Sequence, residues 1–129
     1  KKTLCSAIPV SPDVSGEVKG RDVVSGLPKT ITVTTNELVK AIDQELKQMV
    51  RAIKDVLQQT PPELASDIID HGIVMTGGTS QLLHLDDLIA QQTGVSVRVA
   101  DESLYWVVNG TGVLLAHLGE YQRSILAKR

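Results

Sequence analysis

Residues 72–100 constrain the fold of this chain more than any other stretch. An apolar run, Ile73-Val74-Met75, ends at Thr76-Gly77-Gly78-Thr79-Ser80. Leu82, Leu83, Leu85, Leu88 and Ile89 then recur at helical spacing until Gly94, after which Val95, Val97 and Val99 alternate with Ser96, Arg98 and Ala100. A short β-branched run, an amphipathic segment and a period-two run read as strand, helix and strand. This predicts a βαβ unit, with strands 73–76 and 95–100 parallel and joined by a right-handed crossover. Paired glycines let the backbone come close to whatever lies above the strand end. A helix starting directly after them would aim unpaired N–H groups at the same place. Ligands of open α/β sheets gather at such carboxyl ends, so the Gly-Gly turn is the candidate site, with a plain βα turn as the simpler reading.

Upstream, Glu17–Val24 and Thr30–Thr34 read as two strands joined through Ser25-Gly26-Leu27-Pro28, a small antiparallel sheet. Thr34-Thr35-Asn36-Glu37 matches a capping box. Behind it Leu38, Ile42, Leu46, Met49, Val50, Ile53, Val56 and Leu57 form the stripe of a long helix, whose mixed-charge outer face suits solvent better than a membrane surface. Thr60-Pro61-Pro62 stops that helix and opens another, with Thr60 as its N-cap, running to Gly72. Ser103 is placed to cap a last helix from about Leu104 to Leu118, in which Gly110 and Gly112 imply close approach by another element or a ligand, or a simple irregularity.

The rest of the chain limits function. One Trp, two Tyr and no Phe leave the core to aliphatic side chains and offer no stacking platform for single strands. A net charge of −2 argues against nucleic acid as a partner. The single cysteine, Cys5, excludes an internal disulfide and fits a reducing cytoplasm. His71, His84 and His117 have no metal-ligand spacing, and neither a nucleophile elbow, a Walker A lysine nor a G-x-G-x-x-G is present. Asp86 and Asp87 are adjacent on a helix and point apart. No catalytic residue is expected in the chain taken alone. It opens without Met on Lys1-Lys2, in what reads as the tail of a helix, and excision from a longer protein is expected.

Gly72-Ile73-Val74-Met75-Thr76-Gly77-Gly78 resembles the adenosine motif of the actin-like ATPase superfamily. Gly20-Arg21-Asp22, Ser25-Gly26-Leu27-Pro28-Lys29, Thr60-Pro61-Pro62-Glu63-Leu64-Ala65-Ser66-Asp67-Ile68, Thr93-Gly94-Val95-Ser96-Val97 and Gly110-Thr111-Gly112 narrow the likeness to the MreB family of bacterial actins, over essentially the whole chain. The resemblance implies an actin-like (ribonuclease H-like) α/β ATPase fold, of which this is the later part of the second domain. Residues 1–58 would form the small outer subdomain with its long helix, and residues 59–129 the rest of the inner, nucleotide-facing subdomain. It implies ATP with Mg in the complete protein, with Gly77, Gly78, Thr79, Ser80, Gln81 and Lys1 bordering the nucleotide, although the piece alone need not hold one. The phosphate loops, the metal-binding acid and the residue that positions water belong upstream. A third glycine usually stands where this chain has Thr79, which adds a side chain near the base. Implied partners are further copies in a filament and membrane-associated cell-wall and division machinery, with the filaments cytoplasmic beneath the membrane. The alternatives are another actin-fold protein of the division or pilus ATPase type, or a stand-alone interaction domain without nucleotide.

Overall fold

A computed structural model of the protein describes residues 4–121. Strands β1 (Ser15–Arg21) and β2 (Pro28–Thr34) form an antiparallel hairpin in which Val18 faces Ile31 and Arg21 faces Pro28. Helix α1 (Thr35–Gln59) follows without a break, then α2 (Pro62–His71). Strand β3 (Ile73–Met75), helix α3 (Leu85–Thr93) and strand β4 (Val97–Val99) make the expected βαβ unit, with β3 and β4 parallel and Ile73 opposite Val97. Helix α4 (Trp106–Ala116) ends the described part.

The capping box forms as the sequence predicts. The Thr34 hydroxyl accepts from the Glu37 amide at 3.2 Å, and the Glu37 carboxylate accepts from the Thr34 amide at 2.9 Å. Two of the helix's free donors are thereby satisfied. From this start α1 turns Leu46 inward onto Leu85 and Ile89 of α3, together with Ala7. Ile42, Met49, Ile53, Met75, Leu82, Leu88 and Val97 pack around that centre. Each fully buried aliphatic side chain contributes about 1.5–3 kcal/mol through loss of water contact. The stripe differs from the expected one at two places: Val39 is buried in it, whereas Val56 is 66% exposed.

Other differences have local causes. The first strand ends at Arg21 instead of Val24, because Asp22 closes a turn: its carboxylate accepts from the amides of Val24 and Ser25, and its own amide donates to Leu27. Turn chemistry here outweighs the β preference of two valines. Thr60 does not cap α2; its hydroxyl turns back to the Val56 carbonyl at 2.8 Å and Pro61 takes the N-cap position. The last helix starts at Trp106 and lacks a side-chain cap, since Ser103 is buried in the preceding loop. Gly110 and Gly112 face open space, so among the described residues no element approaches them closely.

The Ser25 amide, the Lys29 ammonium and the Val24 amide together hold the Asp22 carboxyl below its ordinary value. A depressed folded value means that the contribution to hairpin order is present above the unfolded pKa and lost as pH falls through the folded one. Carbon-detected NMR titration should place the Asp22 midpoint below the ordinary aspartate value, and Lys29→Met should raise it. In urea unfolding, Thr34→Ala should cost about 1 kcal/mol and Leu46→Ala about 2–5 kcal/mol. Val56→Ala, at an exposed position, should stay within about 0.5 kcal/mol.

Candidate functional site

The carboxyl end of β3 leads into Thr76-Gly77-Gly78 and then a 3-10 turn over Thr79–Gln81. Gly77 has φ +85°, a backbone state that L side chains adopt only with strain. Its amide donates to the Ser103 carbonyl at 2.7 Å, and its carbonyl accepts from the Ser80 hydroxyl at 2.7 Å. Ser80 is 4% exposed, so its side chain locks the turn from within. Gly78 is helical in conformation (φ −68°, ψ −36°), and a Cβ there would meet only Leu104 at an ordinary 3.5 Å. Conformation therefore requires glycine at the first position alone.

Two further segments flank the turn. Residues 4–8 lie just past it, joined to Leu83 by a parallel bridge from Ser6. The Ala7 amide donates to the Leu83 carbonyl at 2.8 Å, and the fully buried Ser6 hydroxyl donates to Ile8 at 2.7 Å. On the other side, the loop after β4 is drawn in by a bond from the Ala100 amide to the Met75 carbonyl at 2.9 Å. Trp106 closes that loop by donating Nε1–H to the Asp101 carbonyl at 2.6 Å. The sequence reading missed this third wall, Asp101–Leu104; the small buried Ser103 was its one visible sign, and it was assigned to a cap.

Gly77, Gly78, Thr79, Ser80 and Gln81 are thus contiguous at one strand end, whereas Lys1 lies outside the described residues. The amides of Gly78 and Thr79, both exposed, donate to no group among the described residues. One expectation changes. The helix does not begin at the Gly-Gly turn: α3 starts at Leu85, after His84 in the left-handed region (φ 59°), so its N-terminal amides do not serve the turn. The bridge to Ser6 explains this, because Leu82-Leu83 must stay extended to pair with the upstream segment. A cavity of about 530 Å³ lies between α1 and α3; Ala7 lines it, and none of Gly77, Gly78, Thr79, Ser80 and Gln81 does. Among the described residues no cluster of His, Cys, Asp and Glu is arranged to hold a metal ion, and no helix is long and apolar enough to cross a membrane. His84 pairs with Asp87 at 2.9 Å on the surface.

The family described as MreB/Mbl protein matches residues 1–123. This chain belongs to the MreB/Mbl family. It is 43% identical over 121 residues to the cell shape-determining protein Mbl of Bacillus subtilis, covering 92% of this chain and 36% of that protein. It is 40% identical over 115 residues to the cell shape-determining protein MreB of Escherichia coli K12, covering 89% and 33%. Crystal structures of MreB5 of Spiroplasma citri bound to ADP and to AMPPNP each give a TM-score of 0.83 at 27% identity, covering 96% and 97% of this chain and 37% and 38% of those chains. The actin-like fold expected from the sequence is therefore the fold of this chain. It spans about a third of the length of the MreB and Mbl proteins it matches.

The two glycines separate by experiment. Gly77→Ala should destabilise the chain by about 1–2 kcal/mol, the strain of a side chain at positive φ. Gly78→Ala should change stability by less than about 0.5 kcal/mol. Urea midpoints of the two variants measured side by side decide this.

Proposed function

We propose that this chain is part of a longer MreB-type ATPase that polymerises into filaments and directs cell shape, and that it supplies the adenosine-side half of the nucleotide site. The observation that carries the reading is the Gly77 turn. Exposed, uncommitted amides of Gly78 and Thr79 stand at the carboxyl end of a parallel strand pair, beside the Asp101–Leu104 loop. The nucleotide-bound state of the Spiroplasma citri relatives supports it.

In this reading residues 59–129 belong to the inner subdomain, and residues 1–58, the hairpin and the long helix, to the outer one. Gly77, Gly78 and Thr79 offer backbone and small side chains to the nucleoside, Gln81 a side-chain amide, and Ser80 the internal lock that fixes the turn. Lys1, ahead of the segment anchored at Ser6, approaches the ribose. ATP with Mg would supply phosphoryl chemistry to groups beyond this chain; the residues here bind and orient. Further copies in a filament are the first partner, and membrane-associated cell-wall and division machinery the second. Helix α4 fits the same reading. Trp106, Val107, Val108, Val113 and Leu115 are 45–75% exposed around the helix, and a helix apolar on all sides belongs inside a larger body.

ATP titrated into ¹⁵N-labelled chain should shift the amides of Gly77, Gly78 and Thr79, with an affinity on the order of millimolar because half the contacts lie elsewhere. A folded spectrum that stays unmoved at saturating ATP would favour the stand-alone interaction domain instead.

A further inference from the structure

The cavity between α1 and α3, about 530 Å³, has a shape and a charge that the nucleotide reading does not use. Its floor is aliphatic: Ala7, Leu46 and Val50 are buried, and half-buried Leu88 closes it from α3. On α1 the lining extends from Asp43 to Gln58, about 22 Å at the helical rise, whereas α3 contributes Leu88 and Gln92 alone. Spread over that length, the volume leaves a channel averaging about 5 Å across, roughly half the width of a helix.

The rim is cationic. Lys47, Arg51 and Lys54 fall at i, i+4 and i+7 of α1, on one stripe. Lys47 is neutralised by Asp43 at 2.6 Å. Lys54 Nζ donates instead to the uncharged Gln92 Oε1 at 3.2 Å, which ties α1 to α3 and leaves the half-buried ammonium with its full charge. Arg51 forms no ion pair among the described residues, not even with Asp55 four positions on, which also lines the cavity. Two cations without a counter-charge therefore stand over an apolar floor.

We propose that this groove binds a linear acyl carboxylate, with its chain along Leu46, Val50 and Leu88 and its head group between Arg51 and Lys54. The channel is too narrow for a docked helix. Both walls are helices whose backbone groups are bonded internally, so an extended peptide finds no strand edge to pair with. No aromatic side chain lines the floor, so a nucleobase finds nothing to stack on. An alkyl chain needs neither. The Arg51 guanidinium offers a fork of donors that matches a carboxylate, and Lys54 adds a point charge already held in place by Gln92.

The test titrates octanoate, decanoate and octanol into the ¹⁵N-labelled chain, below the concentrations at which they form micelles. Octanoate should shift the amides of Leu46, Val50, Arg51, Lys54 and Leu88 together, with an affinity on the order of millimolar. Decanoate should bind about tenfold tighter, because each buried methylene adds about fourfold. Octanol, which has the same chain and no charge, should bind about tenfold weaker than octanoate or worse. Arg51→Gln, at an exposed position where folding is retained, should weaken octanoate about fivefold or more. Asp55→Asn, which removes the opposing charge, should tighten it about twofold. Unmoved groove amides in a folded spectrum overturn the proposal. So do equal shifts with octanol, unchanged affinity in Arg51→Gln, or shifts centred on the exposed apolar side chains of α4, each of which would mean apolar partitioning only. Groove amides that respond to phosphatidylglycerol vesicles and not to free octanoate overturn it as well. The groove shares no residue with Gly77, Gly78 and Thr79, so the nucleotide reading stands or falls separately.

Discussion

The parallel pairing of β3 with β4 is the constraint on which the rest depends. It is only three residues long on each side, yet it continues past the strands: Ala100 donates to Met75, and Gly77 donates to Ser103. Those two bonds draw the loops at both strand ends together and force the positive φ at Gly77. Parallel pairs need a crossover, and the crossover here carries Leu85 and Ile89, which are 2% exposed and seat α3 on α1. Core and candidate site are therefore built by one unit.

The bridge from Ser6 to Leu83 ties the start of the chain to that unit. It costs α3 its first turn, since Leu82 and Leu83 are held extended, and in return it fixes residues 4–8 against Leu83. A site walled by separate segments is typical of a cleft at a strand's carboxyl end. It also accounts for the distribution of exposed apolar side chains. They cluster on α4, on the hairpin tip and on α2, away from the centre around Leu46 and Leu85.

Much of this was legible in the residues. The capping box at Thr34, the stripe of α1 and the alternation at Val95, Val97 and Val99 are short-range patterns set by backbone geometry; the first formed as read, the stripe gained Val39 and lost Val56, and the strand was cut back to Val97–Val99. What stayed hidden depended on contacts far apart in sequence or on competing local bonds. Leu82-Leu83 look like the first turn of a helix until Ser6 pairs with them. Val23-Val24 look like strand until the Asp22 carboxylate closes the turn beneath them. Ser103 and Thr60 look like caps, but one is buried under Gly77 and the other bonds back to Val56. The Gly-Gly turn was read from the residues, and a nucleotide role for Gly77 to Gln81 only from the resemblance; the Asp101–Leu104 wall was not read, because no pattern marks a loop that is pulled in by a neighbouring strand.

The central claim is that the Gly-Gly turn, not the cavity between α1 and α3, receives the nucleoside. Photo-crosslinking with 8-azido-ATP, mapped by mass spectrometry on the folded chain, tests this most directly. The account predicts labelled peptides from residues 77–83, with competition by unlabelled ATP. Competed labelling that falls instead on Lys47–Gln58 and Leu88–Gln92, the walls of the cavity, would contradict it.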